Sequence, residues 1–116
     1  MKEITIIHNP RCSKSRKALE ILTEKNFKIN IHLYLNEKFS KQDLKEILKK
    51  LKIKPINLMR KKEKAFKDLN LYNKNLSEDE LIDCMVKNPI IIERPIIIYG
   101  KKAIIARPPE KILEIF

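Results

Sequence analysis

One glycine, Gly100, and no tryptophan occur among the 116 residues. A single glycine spells no glycine-rich nucleotide loop, and no metal-ligand motif accompanies it, so any redox chemistry must draw its electrons through thiols. Cysteine is scarce as well. Cys12 and Cys84 lie far apart, without the dense spacing of a secreted disulfide scaffold, which fits a reducing compartment and predicts a cytoplasmic protein. No apolar run approaches the ~18 residues that a membrane span requires, and Lys2 and Glu3 stand where a signal peptide would differ; both argue against a membrane. Aromatic residues make up 6% of the chain and only five of the 26 basic residues are arginine. The formal charge of +11 raises the question of polyanionic partners, but the groups that stack on bases and read their edges are few, which argues against nucleic acid.

What is present is mostly lysine. Eleven basic residues between Lys41 and Lys67 stand against Asp43, Glu46 and Glu63, so much of the positive excess belongs to one lobe of solvated helix faces. At this length and with 43% hydrophobic residues the chain supplies one core, which predicts a single domain over 1–116.

Ile4, Ile6 and Ile7 predict a short strand ending before Asn9-Pro10, where proline removes a donor. From Ser13 the pattern turns helical, with Ala18, Leu19 and Leu22 on one face, and continues to about Asn26. Phe27, Ile29, Ile31, Leu33 and Leu35 then alternate with Lys28, Asn30, His32 and Tyr34, the period of a half-buried strand with His32 on its solvated side. A helix between two strands predicts a parallel βαβ unit with a right-handed crossover, and an α/β fold.

Ser40 with Asp43, and Ser77 with Glu80, each spell a capping box. The first opens a helix with Leu44, Ile47, Leu48 and Leu51 on one stripe. The second opens one reaching about Asn88 with a stripe of Leu81, Ile82, Met85 and Val86, and places Cys84 in the core. Pro55 predicts a short helix to about Arg60, whereas 61–76 keeps no sustained period. Ile96–Tyr99 and Ala103–Ala106 around Gly100-Lys101-Lys102 predict a hairpin, and 110–116 a terminal helix held by Ile112 and Leu113.

The chemistry concentrates in His8-Asn9-Pro10-Arg11-Cys12-Ser13-Lys14-Ser15-Arg16. Unpaired amides and the positive dipole end of a helix N-terminus favour a thiolate, neighbouring cations add to this, and the same amides can hold a tetrahedral oxyanion. Cys12 is therefore the candidate nucleophile; the cations around it count against its being a small buried apolar residue. A C-x-x-C pair is excluded by Ser15, and a phosphatase-like C-x5-R loop by Ala18. A monothiol site remains, which needs a second thiol from elsewhere.

The opening motif, together with Leu58-Met59-Arg60-Lys61, Leu81-Ile82-Asp83 through Asn88-Pro89-Ile90, Glu93-Arg94-Pro95-Ile96 and Ala106-Arg107-Pro108, resembles the glutaredoxin-coupled arsenate reductase family in order along nearly the whole chain. The resemblance implies a thioredoxin-like α/β mixed sheet with an inserted helical region and a cis proline at Pro95. It implies Cys12 as the nucleophile, His8 and Ser15 as residues that tune the thiolate, and Arg60, Arg94 and Arg107 as the oxyanion-binding set. It further implies arsenate as substrate and glutathione and glutaredoxin as thiol partners, with no bound cofactor and no metal. Arginine's planar fork suits an oxyanion, although any one of the three, taken alone, reads equally well as a surface ion-pair partner. Two alternatives share the pattern: a redox-responsive regulator of the Spx type that binds RNA polymerase, against which Ser15 argues, and a related glutathione-dependent thiol reductase.

Overall fold

Among the described residues the strands β1 (Glu3–Ile7), β2 (Lys28–His32), β3 (Ile96–Tyr99) and β4 (Lys102–Ile105) form one mixed sheet, in the order β2-β1-β3-β4. The computed structural model describes residues 3–71 and 74–116; Lys2, and Tyr72 and Asn73 within the unassigned 61–76, lie outside the described residues. The chain divides into two compact units. The first combines Met1–Glu37 with Arg94–Phe116, and the second is Lys38–Glu93, the inserted helical region.

In the first unit, β1 (Glu3–Ile7) pairs in parallel with β2 (Lys28–His32), with Ile6 opposite Ile31, and antiparallel with β3 (Ile96–Tyr99), with Ile6 opposite Ile97. A hairpin joins β3 to β4 (Lys102–Ile105) with Tyr99 opposite Lys102, which leaves Gly100-Lys101 as a two-residue turn. Gly100 has φ +61, the conformation such a turn asks of its first residue and one that costs a side-chain-bearing residue strain. Helix α1 (Ser13–Glu24) buries Ala18 and Leu22 with Ile4, Ile6, Ile97 and Ala106, and the terminal 3-10 helix Pro109–Ile115 adds Ile112 and Ile115 to the same core.

Two expectations fail here for periodic reasons. Leu113 is 57% exposed, since a 3-10 helix repeats every ~3.0 residues and aligns Pro109, Ile112 and Ile115 instead. The alternation over 27–35 overstates the second strand. β2 is an edge strand that ends at His32, Ile31 is 48% exposed, and the chain then turns, with Asn36 and Glu37 N–H both on the Leu33 carbonyl, which buries Tyr34 instead. His32 is not simply solvated: its Nε2 lies 2.7 Å from the Glu37 carbonyl and pins that turn.

In the second unit, α2 (Lys41–Leu51) and α4 (Glu78–Lys87) both start with complete capping boxes, at Ser40–Asp43 and Ser77–Glu80. Each box satisfies two amides that a helix start leaves open and contributes about 1 kcal/mol. The helices pack on each other, and Lys41 reaches Asp79 and Asp83 while Lys45 reaches Asp79, so part of the lysine excess is spent on ion pairs. Pro55–Leu58 is a 3-10 turn, Lys64–Asp68 a short helix α3 around buried Phe66, and a lone antiparallel bridge ties Met59 to Ile92. The buried stripe of α4 is Ile82 and Met85; Cys84 falls on its flank and is half-buried, not in the core. Among the described residues no helix is long and apolar enough to cross a membrane.

Candidate active site

β1 points its C-terminal end at the start of α1, and the five residues between them form a tight loop. His8 N–H extends the parallel ladder to the His32 carbonyl at 2.9 Å, after which Asn9-Pro10 leaves the sheet. A turn follows, with Cys12 N–H on the Asn9 carbonyl at 3.0 Å, and the Cys12 carbonyl accepts Arg16 N–H as the first bond of α1. Cys12 is thus the N-cap of α1, with extended backbone (φ −92, ψ 120). That position ordinarily holds Ser, Thr, Asp or Asn, whose oxygen accepts the amides of the next turn; here sulfur stands in the same place. It closes no cap hydrogen bond of ordinary length, yet the amides of Ser15 and Lys14 act on it, and the first turn of α1 carries no acidic residue.

Partial burial pushes the Cys12 thiol up, but the Ser15 amide, a hydrogen bond from the Arg94 side chain, the Lys14 amide and the Arg94 charge together outweigh it and hold the thiol below its ordinary value. Arg107 joins from the end of the hairpin. Its Nη1 donates to the Arg94 carbonyl at 3.0 Å and stands 3.8 Å from Cys12 Sγ, so the carbonyl orients the guanidinium while the sulfur contact is long. Of the two arginines, Arg94 acts more strongly on the thiol. The Arg94-Pro95 and Arg107-Pro108 peptide bonds are both cis.

Behind the thiol, His8 and Ser15 are buried, 5% and 0% exposed, and form a pair with Ser15 Oγ 2.6 Å from His8 Nδ1. Burial, aided by the Arg16 charge, holds His8 below its ordinary value. Ser15 Oγ also accepts Asn9 N–H at 3.1 Å. Arg16 reaches back with Nη1 to the Pro10 carbonyl at 2.9 Å and closes the loop from outside.

The first unit therefore brings Cys12, His8, Ser15, Arg94 and Arg107 together. Arg60 belongs to the second unit, where its N–H meets the Ile91 carbonyl at 2.7 Å and its guanidinium pairs with Glu63 at 3.5 Å and Glu93 at 3.8 Å. Asn9 and Arg16 escape the sequence reading as site residues, although Asn-Pro at the end of a strand is itself a turn signal. Beside the loop lies a cleft of about 360 Å³ lined by His8, Asn9, Pro10, Arg11, Leu33, Leu35 and Asn36. A larger groove of about 970 Å³ at Phe27, Tyr99 and Phe116 belongs to the opposite end of the sheet, since Ile96 rather than Tyr99 pairs with Ile7 next to the loop.

A thiolate capping a helix, faced by two guanidinium groups and flanked by the first amides of α1, can attack the central atom of a tetrahedral oxyanion whose oxygens those donors hold.

Comparison with known proteins agrees with this geometry. A sequence model of the ArsC family matches residues 7–115. An arsenate reductase of Haemophilus influenzae is 46% identical over 113 residues, covering 97% of each chain. The Escherichia coli protein YfgD is 46% identical over 115 residues, covering 98% of this chain and 97% of its own. The solved structure of an arsenate reductase from Vibrio cholerae superposes with a TM-score of 0.95 at 38% identity, over 99% of this chain and 98% of that one.

Proposed function

The chain belongs to the ArsC family and has its thioredoxin-like fold, and on that premise we propose that it reduces arsenate to arsenite with Cys12 as nucleophile and glutathione and glutaredoxin as its source of electrons. The observation that carries this reading is Cys12 at the N-cap of α1, its thiol lowered by the Ser15 and Lys14 amides and by Arg94, with Arg107 Nη1 at 3.8 Å.

The reaction is a two-electron reduction in which two thiols become one disulfide and arsenate loses one oxygen as water. Cys12 sulfur attacks arsenic and water leaves, giving a thiol–arsenic(V) adduct. A glutathione thiol then attacks the adduct, arsenic leaves as arsenite with the electron pair of its former bond to sulfur, and Cys12 is left in a mixed disulfide with glutathione. Glutaredoxin reduces that disulfide. Arg94 and Arg107 hold the arsenate oxygens as negative charge gathers there, and the α1 amides share that load. Arg60 is kept in the proposal as a third oxyanion ligand on the family resemblance alone; within its own unit it pairs with Glu63 and Glu93. The His8–Ser15 pair is buried and packs the inner side of the loop. A second thiol must come from outside, because Ser15 fills the place of a resolving cysteine. Dependence on glutathione supports a cytoplasmic location.

The test is arsenate-dependent NADPH oxidation coupled through glutathione reductase, glutathione and glutaredoxin. Turnover by the wild type and none by Cys12→Ser is expected. A wild type that stays inactive with several glutaredoxins refutes the reading.

A further inference from the structure

We propose that Asn9 is the positioning residue of the thiolate loop, the single side chain whose hydrogen bond sets where Cys12 sulfur stands relative to the α1 amides. Asn9 is 4% exposed, and its polar contacts join the loop to itself and to the first turn of α1. Its N–H donates to Ser15 Oγ at 3.1 Å, its Oδ1 accepts Arg11 N–H at 3.0 Å, and its carbonyl accepts Cys12 N–H at 3.0 Å.

The chemistry of the neighbouring residue explains why this position wants asparagine. Pro10 has no N–H, so the first donor after Asn9 is that of Arg11, two residues on. An Asx side chain is of the right length to accept from a backbone amide at that spacing. The bond folds Pro10-Arg11 over the Asn9 side chain and delivers Cys12 N–H to the Asn9 carbonyl. One residue therefore joins the buried His8–Ser15 pair to the turn that carries the thiol. Without the Oδ1 acceptor, Arg11 N–H loses its partner, the Pro10-Arg11 segment gains freedom, and the sulfur loses its fixed place beside the Lys14 and Ser15 amides. The charged groups that act on Cys12 are the guanidinium groups of Arg94, just before β3, and Arg107, just after β4, with His8 buried behind the loop; both are cations. Loosening the loop therefore removes stabilisation of the thiolate.

The inference concerns Cys12 as the working thiol of the proposed reaction, but its test needs no arsenate, so the two fail separately. The pH dependence of Cys12 alkylation by iodoacetamide, followed by peptide mass so that Cys84 is counted apart, is measured with urea stability for wild type, Asn9→Ala and Asn9→Ser. Asn9→Ala moves the alkylation midpoint upward and slows alkylation about threefold at a pH below both midpoints, the size expected when one hydrogen bond that orders an anion's donors is lost. Asn9→Ser, whose hydroxyl closes the same turn more weakly, recovers at least half of that change. A merely structural role would lower urea stability and leave the midpoint where it is, and an unmoved midpoint in Asn9→Ala overturns the proposal. Should Asn9→Ala fail to fold, Asn9→Gln decides. It keeps the amide but is too long to close the turn, so its midpoint rises if the proposal holds and stays at the wild-type value if it does not.

Discussion

Replacing Arg107 by alanine removes a positive charge whose nearest nitrogen stands 3.8 Å from Cys12 sulfur. Both groups are half-buried, so the Coulomb energy is taken with the dielectric of water: 332/(80 × 3.8) gives about 1 kcal/mol, a lower bound relative to a drier site. That energy favours the thiolate, and its loss lowers the thiolate population about sixfold at any pH below the thiol midpoints of both proteins. The alkylation rate falls by less. A thiolate of higher pKa is also a better nucleophile, with a Brønsted coefficient near ~0.45, so about threefold survives in the rate. The assay is iodoacetamide alkylation of Cys12 across pH, with thiolate ultraviolet absorbance read in parallel. The expected signature is an upward midpoint, a threefold slower rate below both midpoints, and no loss of limiting rate at high pH. An equal slowing at every pH means that the mutation altered access rather than charge and refutes the reasoning, as does an unchanged profile. Arg107→Lys keeps the charge but not the fork that the Arg94 carbonyl orients, so its midpoint falls between the two.

Ser15→Ala leaves His8 Nδ1 and Asn9 N–H without their buried partner and is expected to cost about 2–4 kcal/mol in urea denaturation with an unchanged m value; a cost below about 0.5 kcal/mol contradicts the pairing. Because His8 is held below its ordinary 6.5, the unfolded chain binds a proton that the folded one refuses, and stability should fall as pH drops below 6.5, by up to about 1.4 kcal/mol per pH unit. Urea midpoints at a series of pH values test this, and a His8→Gln protein with the same slope refutes it. The lowered Cys12 thiol gives a second rise in stability, beginning as pH climbs through its folded midpoint and complete near 9.0, which Cys12→Ser should lack in the same titration. Gly100→Ala meets open space but must hold φ +61, so it should cost about 1 kcal/mol in thermal or urea unfolding, and an unaltered stability counts against strain at the turn.

Features set by neighbours in the chain were legible in the amino-acid order. Both capping boxes appear where Ser-x-x-acid is spelled, because a cap is a bond between residues three apart. Cys12 at the start of α1 is local in the same sense: strand, proline and helical period fix it within sixteen residues. The resemblance supplied the names Arg94 and Arg107, yet their meeting with Cys12 depends on β3 pairing antiparallel with β1 and on the hairpin turning at Gly100, contacts that join residues more than eighty positions apart. Burial was the least legible property. Ile31 alternates correctly but lies on an edge strand, Tyr34 reads as polar-side yet is buried past the strand end, and Leu113 obeys a helical period while the backbone winds as a 3-10 helix. Period reports which residues share a side. Which side meets the core depends on which elements the tertiary fold packs against it, and sequence spacing carries no record of that.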